Sequence, residues 1–100
     1  MNGSAAEQVT KASLAKNYNL NQGSTVYNKA CASCHETGIM NAPMPDDPKA
    51  WTPRITKGMA TLIQHTMEGF LSMPAKGGLK TLSMGESANA VAYMVNRSLQ

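Results

Sequence analysis

Two cysteines and a histidine fall within five consecutive residues of this 100-residue chain, in the order Cys31, Cys34 and His35. On one helical turn, residues three and four apart share a face, so all three side chains can address the same flat ligand. This Cys-x-x-Cys-His spacing predicts covalent attachment of a haem, with a thioether bond from each cysteine and His35 as an axial ligand of the iron. The rest of the chain must then enclose a cofactor larger than any of its own side chains.

Two other kinds of site compete for the same residues. A structural zinc ion takes four nitrogen or sulfur ligands, and outside the motif the chain offers only His65 and no third cysteine. A thioredoxin-like dithiol would lie in a strand-helix-strand context, which the sequence does not predict. A disulfide, a dithiol or a metal site therefore stays open as an alternative, and the histidine directly after the second cysteine favours haem.

Composition limits the partners and the fold. One hundred residues form one domain with a small core, to which a buried porphyrin would add considerably. The eight methionines suit irregular gaps around a flat cofactor, although they fill protein cores in general. The net charge of +3 comes without a dense basic run, which argues against binding to nucleic acid or to a membrane surface. No apolar stretch approaches the ~20 residues of a membrane span.

Apolar periodicity and capping residues predict a mostly helical chain. We expect a weak helix or tail over residues 5–16, turns over 17–23, and a first core helix that Ser24 caps and that runs into the cysteine motif. A loop over residues 36–47 then leads to a short helix that begins at Asp47-Pro48 and is interrupted or brief because of Pro53.

Two further helices follow in the second half. The first begins after Gly58 and ends near Gly69, with His65 off its apolar face and therefore predicted to be a solvated surface residue. A loop over residues 71–82 separates it from a final helix, for which Ser83 and Glu86 form a capping box. The apolar stripe of that helix is predicted to comprise Met84, Ala88, Val91, Ala92, Val95 and Leu99, with Tyr93 on the opposite side.

The second axial ligand decides between an electron carrier and a catalyst. Met73 is the strongest candidate because it lies in an irregular loop before Pro74, which biases its backbone toward an extended form that projects the side chain. Gly77 and Gly78 give that loop the freedom to curve round a porphyrin edge. His65 or an open coordination position remains the alternative.

Several short motifs together resemble a small bacterial class I cytochrome c, and within that class the cytochrome c5 type. They are Cys31 to His35, Ala42-Pro43, Ala50-Trp51 with Arg54, Met73-Pro74-Ala75-Lys76-Gly77-Gly78 and Ala92-Tyr93-Met94. The resemblance runs from about Gly23 to Arg97. It implies an all-α class I cytochrome c fold over residues 23–100, with a few helices wrapped round one covalent haem c, and residues 1–22 as an N-terminal extension.

The resemblance also implies roles for individual residues. The carbonyl of Pro43 would accept a hydrogen bond from the second nitrogen of His35, as second-shell acceptors commonly do for ligating imidazoles. Trp51 and Arg54 would lie near the haem propionates, and Lys76 would belong to the cofactor-binding segment. The last helix is expected to cross the first near Gly23 and Tyr27, which would explain the aromatic residue Tyr93 on its other side.

The function expected from these features is one-electron transfer by a soluble, non-enzymatic monohaem cytochrome with His35 and Met73 on the iron. The alternative is a haem enzyme or gas sensor with a labile sixth ligand, although no acid-base pair is evident near Met73. We expect a periplasmic protein whose export signal is absent from this chain, as a monomer or weak dimer. Its partners would be a redox donor and acceptor, with a membrane oxidase or reductase among the candidates, and acidic partners would meet Lys29, Lys57, Lys76 and Lys80.

Overall fold

The computed structural model describes residues 9–99, and within that range the chain is helical, as predicted. The α-helices are α1 (Lys11–Asn17), α2 (Leu20–Val26), α3 (Ala32–His35), α4 (Pro48–Ile55), α5 (Met59–Glu68) and α6 (Met84–Ser98). A π-helical turn over Tyr27–Cys31 joins α2 to α3, and 3-10 turns lie at Ile39–Asn41 and Ala75–Gly78. The described residues contain no β-sheet, only an isolated bridge between Phe70 and Met73.

The first two helices depart most from the sequence prediction. Of the weak helix expected over residues 5–16, the part before residue 9 lies outside the described residues, and α1 begins only after Thr10, which forms a capping box with Ser13. Leu14 of α1 is 1% exposed and belongs to the core. The turn predicted over residues 17–23 and the cap at Ser24 are wrong, because α2 begins at Leu20 with Asn19 as its N-cap.

The contact between α2 and α6 explains why a helix contains Gly23. A Cβ atom on Gly23 would lie 2.1 Å from the carbonyl oxygen of Asn89, so only glycine lets the two backbones approach this closely. One turn along, the rings of Tyr27 and Tyr93 pack at 5.3 Å between centroids. The predicted crossing near Gly23 and Tyr27 is therefore confirmed, and it accounts for an aromatic residue on the second face of α6.

The last helix forms as its capping residues predict. Ser83 Oγ accepts from the backbone N–H of Glu86 at 3.1 Å, and the Glu86 carboxylate accepts from the N–H of Ser83 at 2.9 Å. The residues buried along α6 are Ser87, Ala90, Val91, Ala92, Met94, Val95 and Ser98. Met84, which the apolar stripe had placed on the buried face, is 64% exposed because the first turn of α6 extends beyond the core.

Helices α4 and α5 confirm their predicted boundaries. Asp47 caps α4 and Pro48 occupies its first position, and the helix stays short although it continues through Pro53 to its last residue. Gly58 and Gly69 flank α5, each at φ +89°, a backbone conformation that side-chain-bearing residues rarely adopt. Both glycines therefore set the limits of the helix whose residues Met59, Leu62 and Thr66 are buried.

Candidate haem-binding site

A cavity of about 600 Å³ opens between the cysteine motif and the loop that carries Met73. Ligand cavities in proteins commonly have about 300–1,000 Å³. The wall consists of Ala30, Cys31, Cys34, His35, Ile39, Met40, Asn41, Ala42, Pro43, Trp51, Pro53, Arg54, Lys57, Leu62, His65, Thr66, Phe70, Leu71, Ser72, Met73, Pro74, Gly77, Val91 and Met94. Most of these side chains are apolar, as a porphyrin face requires.

The two cysteines enter the cavity wall from the π-helical turn and the start of α3. Cys31 is 5% exposed, Cys34 is half-buried, and both are free thiols. Burial, and to a lesser degree the neighbouring Cys34, raises the pKa of the Cys31 thiol to about 11. A raised pKa disfavours a redox-active dithiol, because the attacking thiol of such a pair has a lowered pKa. The zinc alternative is disfavoured by the ligand count, since within the described residues no three His, Cys, Asp or Glu side chains converge on one point.

His35 lies at the end of α3 and is 6% exposed. Its Nδ1 lies 2.8 Å from the carbonyl oxygen of Pro43. Since a carbonyl only accepts, Nδ1 carries the proton in this contact and Nε2 keeps its lone pair. His35 therefore has one ring nitrogen held by the loop and the other free to bind a metal ion at the cavity, which is the arrangement that the resemblance implies.

Trp51 and Arg54 of α4 form a second part of the wall. Trp51 is 4% exposed, its Nε1–H donates to the carbonyl of Met44 at 3.0 Å, and its ring centre lies 6.4 Å from that of His35. A guanidinium nitrogen of Arg54 donates to the carbonyl of Ala50 at 2.5 Å. The charged residues in the described wall are Arg54 and Lys57, both cations, which suits a cofactor that carries two carboxylates.

The loop with Met73 forms another part of the cavity wall. Met73 is half-buried, and its backbone forms two hydrogen bonds with Phe70, at 2.9 and 3.0 Å. Farther along, Gly77 has φ +62°, and a Cβ atom there would lie 2.7 Å from the carbonyl oxygen of Ala30. The loop is thus anchored by its own bridge and by close contact with the residue that precedes Cys31.

His65 is not the solvated surface residue that the helical pattern predicts. It is half-buried and contributes to the cavity wall. Its ring stacks on that of Phe70, with 3.9 Å between centroids and 11° between planes, and Lys57 Nζ lies 5.6 Å from the Phe70 centroid. The periodicity of α5 could not reveal this, because the stacking partner follows the helix and is brought back over it by Gly69.

The lysines of the sequence prediction divide into two groups. Lys57 belongs to the cavity wall, whereas Lys29, Lys76 and Lys80 do not. Lys76 itself has φ +56°, and its Nζ donates to the carbonyl of Lys80 at 3.4 Å. The sequence reasoning also missed wall residues whose type alone carries no signal, among them Ile39, Leu71 and Met94.

The residues present fit a covalently held haem. The cavity brings together two free thiols, an imidazole with one nitrogen available, a thioether and two cations within an apolar wall. Among residues 9–99, no three His, Cys, Asp or Glu side chains converge as a metal site of their own. Nor does that part of the chain contain a helix with the length and apolar character needed to cross a membrane.

Comparison with known proteins points to the same cofactor. Residues 19–94 match the family described as cytochrome C oxidase, cbb3-type, subunit III. Cytochrome c-555 of Chlorobaculum tepidum is 45% identical over 85 residues, which cover 81% of this chain and 79% of that protein. Cytochrome c5 of Azotobacter vinelandii is 35% identical over 74 residues, covering 72% and 89%.

A solved structure shares the fold. The matching chain comes from the crystal structure of an electron transfer complex of nitrite reductase with cytochrome c, with a TM-score of 0.73 and 34% identity. The alignment covers 77% of this chain and 94% of that chain.

Proposed function

This chain belongs to the cytochrome c family as a small class I c-type cytochrome, and from that premise we propose that it carries single electrons with His35 and Met73 as the two axial ligands of its haem iron. Haem c is the cofactor, and Cys31 and Cys34 supply the thioether attachment. When bound, the haem provides an iron that alternates between the ferrous and ferric states. The observation that carries the proposal is the single cavity wall shared by both cysteines, His35 and Met73.

The residues of the wall divide the work between them. Pro43 accepts the Nδ1 proton of His35, which fixes the tautomer and the orientation of the imidazole. Arg54 and Lys57 supply positive charge in the wall, which suits a cofactor that carries two propionates. Apolar side chains, including Leu62 and Val91, exclude water and so favour the less charged, reduced state of the iron site.

Met73 is favoured over His65 as the sixth ligand by how each side chain is held. The His65 ring lies face to face with Phe70, and turning it toward a metal would give up that stacking contact. Met73 carries a flexible thioether on a backbone that its two hydrogen bonds with Phe70 already fix. With a methionine and a histidine bound, the iron keeps no position for a substrate, which favours a carrier over an enzyme.

The mouth of the cavity supports short-lived contact with other redox proteins. Ile39, Met40, Phe70 and Leu71 line the cavity and are 54%, 73%, 40% and 91% exposed. An apolar rim with few charges suits a small contact, below about 1,200 Å², that releases quickly. We propose exported redox donors and acceptors in the periplasm as its partners, a membrane oxidase or reductase among them, and a monomer or weak dimer as the working form.

We propose that the haem domain occupies residues 23–100, with residues 1–22 as an extension. The described part of the extension packs on the domain through Leu14, which is buried in the core. The family match begins slightly earlier, at residue 19, where α2 is capped.

Spectroscopy of the holoprotein tests the ligand set. We expect the oxidised protein to show the far-red absorption band of an iron-methionine bond, and the reduced protein to resist carbon monoxide. Met73→Ala should abolish the band and admit carbon monoxide, while His65→Gln should leave both properties unchanged. A band that persists in Met73→Ala would assign the ligand to another residue. Ready binding of carbon monoxide by the wild-type protein would favour a sensor or enzyme.

A further inference from the structure

The loop between α3 and α4 is tied at both ends to the last helix by one residue, Arg97. We propose that Arg97 is a positioning residue for the haem ligand: by holding residues 36 and 46, it keeps the carbonyl of Pro43 on the Nδ1 proton of His35. This inference rests on the proposed function only in that His35 binds the iron, and it does not depend on the identity of the sixth ligand.

Arg97 contacts a carboxylate at each end of the loop. One terminal guanidinium nitrogen lies 2.8 Å from Glu36 Oε2, directly after the cysteine motif. The other forms a short hydrogen bond with Asp46 Oδ2, and Nε donates to Asp46 Oδ1 at 3.4 Å. The planar fork of an arginine presents separate nitrogens to the two carboxylates in fixed directions, whereas the ammonium of a lysine is a compact charge on a flexible stem.

Aromatic rings hold the guanidinium in one position. Its carbon lies 5.7 Å from the Tyr27 ring centre and 5.6 Å from that of Tyr93, the two rings that pack where α2 crosses α6. The hydroxyl of Tyr27 also donates to Glu36 Oε2 at 2.5 Å. An exposed ion pair is usually worth little because its side chains are free to move, but the Arg97 side chain is only 26% exposed and has partners on several sides.

Anchors from outside the loop matter because part of its backbone is in an unfavourable conformation. Gly38, Met40, Asn41 and Asp46 all have positive φ, which costs most at Met40, since Asn and Asp tolerate this region better than other residues with side chains. Conformations of this kind persist where surrounding contacts determine them. Between the two tied residues lies Pro43, whose carbonyl is 2.8 Å from His35 Nδ1.

The consequence for the haem follows from the chemistry of imidazole. A hydrogen bond from Nδ1–H to a carbonyl increases the electron donation of the other nitrogen, which stabilises ferric iron. If the loop loosens, that hydrogen bond weakens, the Nδ1 proton exchanges faster with water, and the ferrous state gains. A weaker hydrogen bond raises the reduction potential, whereas loss of the Arg97 cation alone would lower it. The test must therefore conserve net charge.

The test is a charge-neutral double variant, Arg97→Gln with Asp46→Asn, compared with Lys16→Gln with Glu68→Gln, which removes one cation and one anion away from the loop. In the haem-loaded, reduced proteins, NMR measures exchange of the His35 Nδ1 proton and of the α5 amides, and a redox titration gives the potential. We expect the proton to exchange at least tenfold faster in the Arg97 pair and the equilibrium to shift about threefold toward ferrous iron, with α5 amides unchanged. The control pair should match wild type.

A second variant separates positioning from charge. Arg97→Lys keeps the cation and should still speed exchange of the His35 Nδ1 proton, because a flexible ammonium does not fix both carboxylates in position as the planar guanidinium does. Exchange and potential equal to the control in both Arg97 variants would overturn the proposal, and so would acceleration that is uniform across α5, because it would report global destabilisation. Absence of the iron-methionine absorption band in wild type would instead count against the proposed function. The comparison of proton exchange and potential between the variants would still hold.

Discussion

At His35, the direction of one hydrogen bond decides which ring nitrogen is available to a metal ion. The Pro43 carbonyl can only accept, so it selects the tautomer with the proton on Nδ1. Trp51 is held in a similar way, because its single side-chain N–H donates to the carbonyl of Met44 on the same loop. The orientations of His35 and Trp51 therefore depend on two neighbouring carbonyls, at residues 43 and 44, and so on the position of that loop.

The first prediction at this scale concerns attachment through the free thiols of Cys31 and Cys34. Cys31→Ala or Cys34→Ala should leave the haem held by one thioether bond, and the double variant should release it into acidified acetone, because only coordination and packing would remain. Mass spectrometry of the extracted protein measures the haem that stays bound. Release of haem from the wild-type protein in this solvent would refute covalent attachment.

Some residues of the site can be predicted from the sequence and others cannot. The motif from Cys31 to His35 and the proline after Met73 are predictable, because spacing and backbone bias are properties of neighbouring residues. His65 lies in the wall and stacks on Phe70, whereas Arg97 lies outside the wall and contacts residues 36 and 46 of the loop. Such contacts depend on how loops fold back, which helical periodicity does not encode.

Among the elements, the π-helical turn over Tyr27–Cys31 and the loop that carries Met73 are fitted to each other. Gly77 makes the contact, since a Cβ atom there would lie 2.7 Å from the carbonyl oxygen of Ala30. Extra residues of this kind inside a helix are frequent at functional sites, and here the turn leads directly into the first cysteine. The two halves of the cavity are thus joined by backbone contact.

The second prediction tests this contact with two neighbouring glycines. Gly77→Ala should displace the Met73 loop and weaken the iron-methionine absorption band, because the added methyl meets backbone that cannot yield. Gly78→Ala is the control: Gly78 also has positive φ, but its Cβ would meet only Pro74 Cγ at 3.9 Å. We expect the band to persist in this variant. Equal loss of the band in both variants would attribute the effect to backbone strain alone.

The third prediction concerns the capping box of α6. The pKa of Glu86 lies below its ordinary value of 4.5. The main cause is the hydrogen bond with the Ser83 backbone, and the second is that with the Ser83 side chain. The ionised carboxylate therefore stabilises the folded state above that value, and the contribution is lost as pH falls through the lowered pKa. The melting temperature of wild type should exceed that of Glu86→Gln at pH about 7, and the gap should narrow progressively as pH falls below 4.5 through the lowered pKa. A gap independent of pH would contradict this assignment.

Elements were predicted well where their signals are local. The caps of α4 and α6 and the glycines that flank α5 follow from short-range chemistry, and the structure confirms them. The start of α2 was predicted wrongly because Gly23 and the asparagines before it favour turns in isolation. Packing against Asn89 and Tyr93 of α6 outweighs that local preference. The sequence near Gly23 does not predict this packing.

At the scale of the whole molecule, the cavity wall has few charged residues and several exposed apolar side chains. The described wall holds Arg54 and Lys57 as its charged residues, and four of its large apolar side chains are exposed at the mouth. We expect these cations to steer an acidic redox partner and the exposed apolar side chains to make the contact itself. The sequence-based lysine set was broader, and the structure singles out Lys57 as the member in the wall.

The fourth prediction follows from that arrangement. Electron transfer to an acidic redox protein should slow as salt rises toward physiological strength, where screening acts over about 8 Å. Lys57→Gln should flatten this dependence, because it removes a cation at the mouth, whereas Lys16→Gln on α1 should retain it. Stopped-flow rates at several salt concentrations provide the measurement. Rates that do not vary with salt in wild type would remove the steering role.

The identity of the sixth ligand can be observed directly by NMR of the reduced holoprotein labelled with ¹³C at the methionine methyl groups. A methyl group bound above the haem plane is shifted far upfield by the ring current, and we predict one such signal. It should disappear in Met73→Leu and persist in Met40→Leu and Met94→Leu, which alter two other methionines of the same wall. No upfield methyl signal in wild type, or one that survives in Met73→Leu, would contradict His35 and Met73 as the ligand pair.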